Sequence, residues 1–272
     1  MHCHYINLEH ATERKMALMR SFETHLRPPW TLSRFSAIDH SIVQARGVQG
    51  RIKSGEKGCF LSHMEVMALN QNATEPYMIV EDDVLWGPST QVTMEKVMHA
   101  LKGMTWDIVF TDVCIPTMET EVELFHLKRR LAPESSMLLL NLGEMMFAGS
   151  TAYVVNHQST AKILSLLQAQ PSLDLPYDLY LRQLFRQGAL QGYCVFPFAT
   201  SLSGESESSQ VQAAGHVADL VWNTFRKMIW QDATRDQYLD GLKAIQANVL
   251  DDRSQDFGLL LSAYLSERFV PK

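Results

Sequence analysis

The chain has 272 residues, 46% hydrophobic and 20% charged, with a formal net charge of −6. That is material for one large domain with a real core, or for one domain and a small appendage. Apart from Lys128-Arg129-Arg130 there is no basic stripe, which argues against a nucleic-acid partner, since phosphate neutralisation needs concentrated positive charge. The four cysteines, Cys3, Cys59, Cys114 and Cys194, show no CxxC spacing. They read as free thiols of a reducing compartment rather than a zinc knuckle. The start of the chain lacks a basic, then apolar leader, and no window approaches about 20 apolar residues. The expectation is a cytoplasmic protein with neither a secretory signal nor a membrane span. His2-Cys3-His4 reads as a fraying start rather than a metal trap.

Tyr5 to Leu8 reads as a strand. Residues 12–26 place Met16, Met19, Phe22 and Leu26 at helical spacing, and Pro28-Pro29 stops that helix. A helix follows over 54–70, with Ser54 as N-cap and Glu56 in its first turn. Tyr77 to Val80 is a short buried strand running into Glu81-Asp82-Asp83. A helix at 89–101 carries Met94, Val97, Met98 and Leu101 on one face, and Trp106 to Phe110 is a strand ending near Asp112. Residues 115–145 mix charge with Leu138-Leu139-Leu140 and read as a long excursion over the site. Then come a strand (152–155), two helices (159–168 and 177–187), a strand (193–198) and a polar loop (201–210). The alternation predicts an α/β fold with a mostly parallel sheet covered on both faces. Beyond the loop, Leu242, Ile245 and Val249 form one helical stripe, and Phe257, Leu260, Leu261, Tyr264 and Leu265 another. These helices are expected to dock on the domain; a homodimer interface or a peripheral membrane contact are the alternatives. The division expected is a catalytic domain over 1–211 and a helical C-terminal extension over 212–272.

The strongest chemical signal is Glu81-Asp82-Asp83, three carboxylates at the end of a hydrophobic strand. In open α/β sheets ligands lie beyond the carboxyl ends of the strands. Adjacent carboxylates repel and call for a cation, and oxygen ligands favour Mg²⁺ or Mn²⁺. The competing reading is a solvated acidic turn. In the segment Gly55 to His63, Glu56 and His63 fall on one helical face and could meet sugar hydroxyls, although a histidine there is also an ordinary half-buried residue. Asn7 and Arg14 are placed to contact a nucleotide; for Arg14 a surface ion pair is the alternative. The dinucleotide, P-loop and nucleophile-elbow motifs GxGxxG, GxxxxGK[ST] and GxSxG do not occur.

Taken in order, Tyr5-Ile6-Asn7-Leu8 with Arg14, Ala37-Ile38-Asp39, Gly55 to His63 and Ile79 to Val84 resemble glycosyltransferase family 25, the family of bacterial lipooligosaccharide galactosyltransferases and collagen galactosyltransferase domains. The resemblance covers roughly residues 4–210, continuing through Ala152 to Val155, Leu175 to Asp178 and the serines near Ser208, and does not reach the tail. It implies a type-A nucleotide-diphospho-sugar transferase fold, a UDP-sugar donor, galactose transfer and inversion at the anomeric carbon. It puts Asn7, Arg14, Asp39, Glu56, Ser62, His63, Glu81 and Asp82 at the nucleotide-sugar, and Asp82 and Asp83 on a Mn²⁺ or Mg²⁺ ion. His40 stands where the family has glycine after Asp39, which could narrow the donor site. A carboxylate should take the acceptor's proton. Asp178, at the start of a predicted helix, is the candidate base, and Asp112 the second. The acceptor could be a glycan, lipid-linked or protein hydroxyl. Rival readings are a non-catalytic sugar-nucleotide-binding scaffold and a metal-dependent phosphatase.

Overall fold

The first strand begins at His2 and does not fray. In the computed structural model, which describes residues 1–132, 136–203, 217–247 and Leu260, β1 (His2–Asn7) lies between two parallel neighbours. Cys3 is fully buried and His4 bonds the Asn70 side chain at 3.0 Å, so backbone pairing on both sides ties down what position alone marks as a loose end.

The elements follow as α1 (Thr12–His25), β2 (Thr31–Ser36), α2 (His40–Ala45), α3 (Ser54–Leu69), β3 (Tyr77–Glu81), β4 (Val84–Trp86), α4 (Thr90–Ala100) and β5 (Ile108–Phe110). After these come α5 (Met118–Leu131), β6 (Leu138–Asn141), β7 (Ala152–Val155), α6 (Thr160–Gln168), α7 (Tyr177–Arg186), β8 (Gly192–Phe196), β9 (Thr200–Leu202), α8 (Val217–Ile229) and α9 (Arg235–Ala247). Seven strands form one sheet in the order β2-β1-β3-β7-β5-β8-β6. β1, β2, β3, β5 and β8 point one way, while β7 and the edge strand β6 run against them. β4 and β9 pair antiparallel in a separate ribbon.

The two-residue period of the strands divides their side chains between two cores. Cys3, Tyr5, Met78 and Val80 pack with Leu18 of α1 and Met94 and Val97 of α4. Ile6, Tyr77, Ile79 and Phe110 face the other way, onto Phe60 and Val66 of α3, Ile163 of α6 and Leu181 of α7. Phe225, Met228 and Ile229 of α8 belong to this second core. The expected boundary after residue 211 lies outside the described residues, but the helix beyond it is built into the main body. Ile245 of α9 is buried and Leu242 half-buried; Val249, Phe257, Leu261, Tyr264 and Leu265 lie outside the described residues, as does most of the expected 201–210 loop.

β2, α2, β4 and β9 have no counterpart among the expected elements, and the excursion over 115–145 resolves into α5 and β6. β2 and β6 are sheet edges with mixed exposure, so neither alternates apolar and polar residues cleanly. α2, β4 and β9 are too short for periodicity to register. No described helix is long and apolar enough to cross a membrane.

Candidate active site

Asn7 ends β1, Glu81 ends β3, and Asp112 stands two residues past β5. The shared strand direction therefore brings the carboxyl ends of these strands to one edge of the sheet, where ligands of open α/β folds lie. A cleft of about 830 Å³ opens there. Its walls include Arg14 of α1, Asp39 and His40, Ser62 and His63 of α3, and Glu81, Asp82 and Asp83. A smaller compartment of about 240 Å³ adjoins it, sharing Cys59, Glu81 and Asp83, and is closed by Asp178 of α7 and by Trp222, Asn223 and Arg226 of α8.

The acidic triplet is not a solvated turn. Asp82 and Asp83 are buried, and Arg14 Nη2 bridges them, 2.8 Å from Asp82 Oδ1 and 3.2 Å from Asp83 Oδ2. Asn7 Nδ2 donates to Asp82 Oδ2 at 2.7 Å, and Arg34 Nε donates to Asn7 Oδ1 at 3.1 Å. Asp82 thus spends both oxygens on protein donors. Asp83 does not: among the described residues its buried Oδ1 has no partner. Burial, then the Glu81 charge, push the Asp83 carboxyl up to about 7. Burial also raises Asp82, against the pull of Arg14. Glu81 goes the other way: burial would raise it, but the His63 imidazole, the Ser150 hydroxyl at 2.8 Å and Arg14 together lower it. An unpaired, buried, hard oxygen with its proton held weakly near neutrality suits a divalent cation, and Asp83 is the member of the triplet with that oxygen to give.

The other expected residues are all near this cleft but differ in what they have left to offer. Asp39 Oδ1 accepts from Ser41 and Ile42 N–H and so caps α2; the Ser41 hydroxyl, which also donates to it, and then those N–H bonds hold its carboxyl below the usual range. Ser62 is fully buried; it donates to Gly58 O at 2.7 Å and accepts from Ile38 N–H at 2.8 Å, so its hydroxyl braces α3 against the loop after β2. A Cβ at Gly58 would stand 2.1 Å from Ile38 O, which is why this helix face carries glycine. Glu56 accepts from Lys53 N–H at 2.7 Å; Lys53 rather than Ser54 is the N-cap, and the Glu56 carboxylate satisfies a free end of the helix while lining the smaller compartment. His63 is fully buried, stacked on Tyr177 with centroids 4.4 Å apart, its Nδ1 2.8 Å from Tyr153 Oη and its Nε2 3.4 Å from Glu81 Oε1.

The two candidate bases separate sharply. Asp112 is fully buried; Arg226 Nη2 and Nε lie 2.5 and 2.6 Å from its Oδ2, and Thr200 donates to its Oδ1. It lines neither compartment. Asp178 lines the smaller one, with Oδ2 accepting from Gly149 N–H at 2.6 Å and its pKa raised by burial. Gly149 can present that N–H because its φ of +86° lies in the left-handed region. Arg226, Trp222 and Asn223 had no sequence signal read for them. One was available: Arg226 lies on a helix face otherwise made of Val221, Phe225, Met228 and Ile229, and an arginine on such a face needs a buried partner.

Residues 1–181 match the model of a family described as glycosyltransferase family 25 (LPS biosynthesis protein). This chain belongs to glycosyltransferase family 25. The matched segment holds Asn7, Arg14, the α3 block, the acidic triplet and Asp178, and stops before α8. Family 25 membership makes the chain a glycosyltransferase, which takes a sugar-nucleotide donor and a glycan acceptor. Among solved structures, the apo form of mouse xyloside xylosyltransferase 1 is similar at 13% identity, with a TM-score of 0.38 over 70% of each chain. No curated protein sequence matches.

Proposed function

We propose that this family 25 enzyme moves a hexose, galactose by family resemblance, from a UDP-sugar to a hydroxyl of a surface glycan, with inversion. The observation that carries the reading is the pair of compartments joined at Glu81 and Asp83: the larger has the volume and the Arg14–Asp82 polar wall for a nucleotide-sugar, with buried Asn7 bracing Asp82 from behind, and the smaller has a carboxylate placed for the acceptor. Asp83, through the Oδ1 that Arg14 leaves free, would hold Mn²⁺ or Mg²⁺, with Asp82 beside it, and the ion would supply positive charge to the leaving diphosphate when bound. Arg14 adds a fixed cation to the same wall, already oriented by two carboxylates, so it needs no reorganisation as charge develops. Asp178 takes the acceptor proton. Burial raises its affinity for that proton, and the Gly149 N–H fixes its angle. Asp112 serves as a positioning residue, holding Arg226 so that its charge faces the junction. Glu81 stands between the compartments, with His63 beside it on the wall of the larger one, where the transferred sugar passes. Trp222, half-buried on the wall of the smaller compartment, gives the acceptor ring an apolar face to lie on. Free cysteines and the family's biosynthetic role fit a cytoplasmic site of action.

The test is calorimetric titration of UDP-galactose, UDP-glucose, GDP-mannose and a CMP-sugar with and without Mn²⁺, followed by nucleotide release with methyl glycosides as acceptors. The reading requires Mn²⁺-dependent binding of a UDP-sugar and nucleotide release that rises with acceptor. Trp222→Ala should raise acceptor KM roughly tenfold, the scale of losing an aromatic anchor, with donor KM held. Binding confined to GDP- or CMP-sugars removes the donor assignment.

A further inference from the structure

Cys59 and His63 are four residues apart on α3, so they share one face of the helix, and Glu81 meets that face from the end of β3. Cys59 Sγ, a His63 ring nitrogen and a Glu81 oxygen all lie within 4.8 Å of one another. Two ligands about 2.0–2.1 Å from a tetrahedral ion are about 3.3 Å apart; His63 Nε2 and Glu81 Oε1 are 3.4 Å apart, long for a hydrogen bond and right for two ligands. Among the described residues His63 Nε2 has no hydrogen-bond partner, in a side chain with no exposed surface. Its Nδ1 is taken by Tyr153, whose hydroxyl is itself 2.8 Å from that of Tyr177. When Nδ1–H donates to Tyr153, Nε2 turns a bare lone pair toward a carboxylate, a contact that a cation between them relieves. This outer shell, a ring nitrogen anchored so that the other can ligate, is what metal-binding histidines use.

We propose that Cys59, His63 and Glu81 form a site for a thiophilic divalent ion of the Zn²⁺ class, distinct from the oxygen ligand of Asp83, and that an ion there stops transfer by filling the junction of the two compartments. A thiolate, an imidazole and one carboxylate select Zn²⁺ over Mn²⁺ or Mg²⁺. Cys59 and Glu81 line both compartments and His63 the larger, so a fourth position opens onto the cleft. On binding, the Zn–S bond forms as the Cys59 thiol gives its proton to solvent; no electron moves. Burial first, and then the surrounding carboxylates Glu81, Asp178, Asp83 and Glu56, keep that thiol protonated in the ion-free chain; those carboxylates are the charge excess that a divalent ion offsets.

The binding half of the proposal stands alone; the inhibition rests on the transferase reading. The experiment is calorimetric titration of the chelator-stripped full chain with Zn²⁺ and, separately, Mn²⁺, with near-ultraviolet absorption of the Co²⁺ form. The expected result is one Zn²⁺ per chain, bound at least about 100-fold more tightly than Mn²⁺, a thiolate-to-cobalt band, and loss of the band together with a 10–100-fold loss of Zn²⁺ affinity in C59S and H63Q. Should either variant fold poorly, Zn²⁺ protection of Cys59 against iodoacetamide in the wild-type chain, read by peptide mass, takes its place. Unchanged Zn²⁺ affinity in both folded variants, or alkylation of Cys59 at the same rate with and without Zn²⁺, overturns the site. Zn²⁺ that binds through Cys59 yet leaves nucleotide-sugar turnover unaltered overturns the inhibition alone. If no nucleotide-sugar is turned over at all while Zn²⁺ binds as described, the transferase reading falls, and with it the inhibition, but the site remains.

Discussion

At the scale of single residues, the roles proposed for Asp83 and Asp178 each have a distinct signature. Asp83→Asn keeps shape but removes the charge that holds a cation, so turnover should fall by about 10²–10³, the cost of one electrostatic stabiliser, while the circular dichroism is unchanged. Linkage makes the same residue visible without activity. Asp83 titrates near 7 in the fold and near its ordinary value when unfolded. Between those values the native state holds the extra proton, so stability falls as pH rises through that window. We expect the ion-free chain to melt lower at about pH 8 than at about pH 5, and Asp83→Asn to lose much of that difference; an unchanged slope in the variant would show that the carboxyl ionises elsewhere. Asp178→Asn should lower kcat by roughly 10²–10⁴ with donor affinity intact, as expected of a lost base. Weakened donor binding with an unaffected rate constant would move Asp178 out of that role. Asp83 and Asp178 could be named from sequence because one closes a carboxylate triplet at a strand end and the other opens a helix. What sequence could not tell was which carboxylates are already spent. Asp112 stood second to Asp178 as a candidate base, and its pairing with an arginine 114 positions away is what a sequence pattern does not show.

Elements show the same contrast between local and distant information. The buried central strands β1, β3 and β7 and the long helices are legible because their patterns are strong. β2 and β6 are sheet edges with half-exposed sides, and α2 and β9 owe their form to neighbours: a capping Asp39 and the partner strand β4. α5 is a separate case. Its Glu121 is 1% exposed, with neither carboxylate oxygen partnered among the described residues, and burial pushes its pKa up to about 8. Lys128, two turns further along the same helix, spends its charge on the carbonyls of Met228 and Trp230 at the end of α8, not on Glu121. Holding that carboxyl protonated in the fold costs stability wherever the unfolded chain would ionise it, so Glu121→Leu should stabilise the chain by about 1–3 kcal/mol at neutral pH and above, and by less in acid, where folded and unfolded chains are both protonated. Loss of stability in that variant at about pH 8 would mean that Glu121 has a partner the present account omits.

On the scale of the whole molecule, the part of the chain beyond the family-matched segment completes the site. α8 closes the smaller compartment and sends Arg226 to Asp112 and Thr151. Removing one partner of such a buried pair costs roughly 3–5 kcal/mol, so Arg226→Ala, and still more truncation at residue 211, should lower the melting temperature sharply and leave Asp112 as an uncompensated charge. Retention of full stability by the truncated chain would make α8 an appendage after all. The central claim, that one cleft binds a UDP-sugar through a cation on Asp83 and passes its hexose to an acceptor held by the neighbouring compartment, is most directly tested by UDP release from UDP-galactose across a Mn²⁺ titration in the wild type and Asp83→Asn. The account predicts release that saturates with Mn²⁺ and rises with acceptor in the wild type, and is nearly absent in the variant. Equal release with the same Mn²⁺ dependence in both proteins would contradict it.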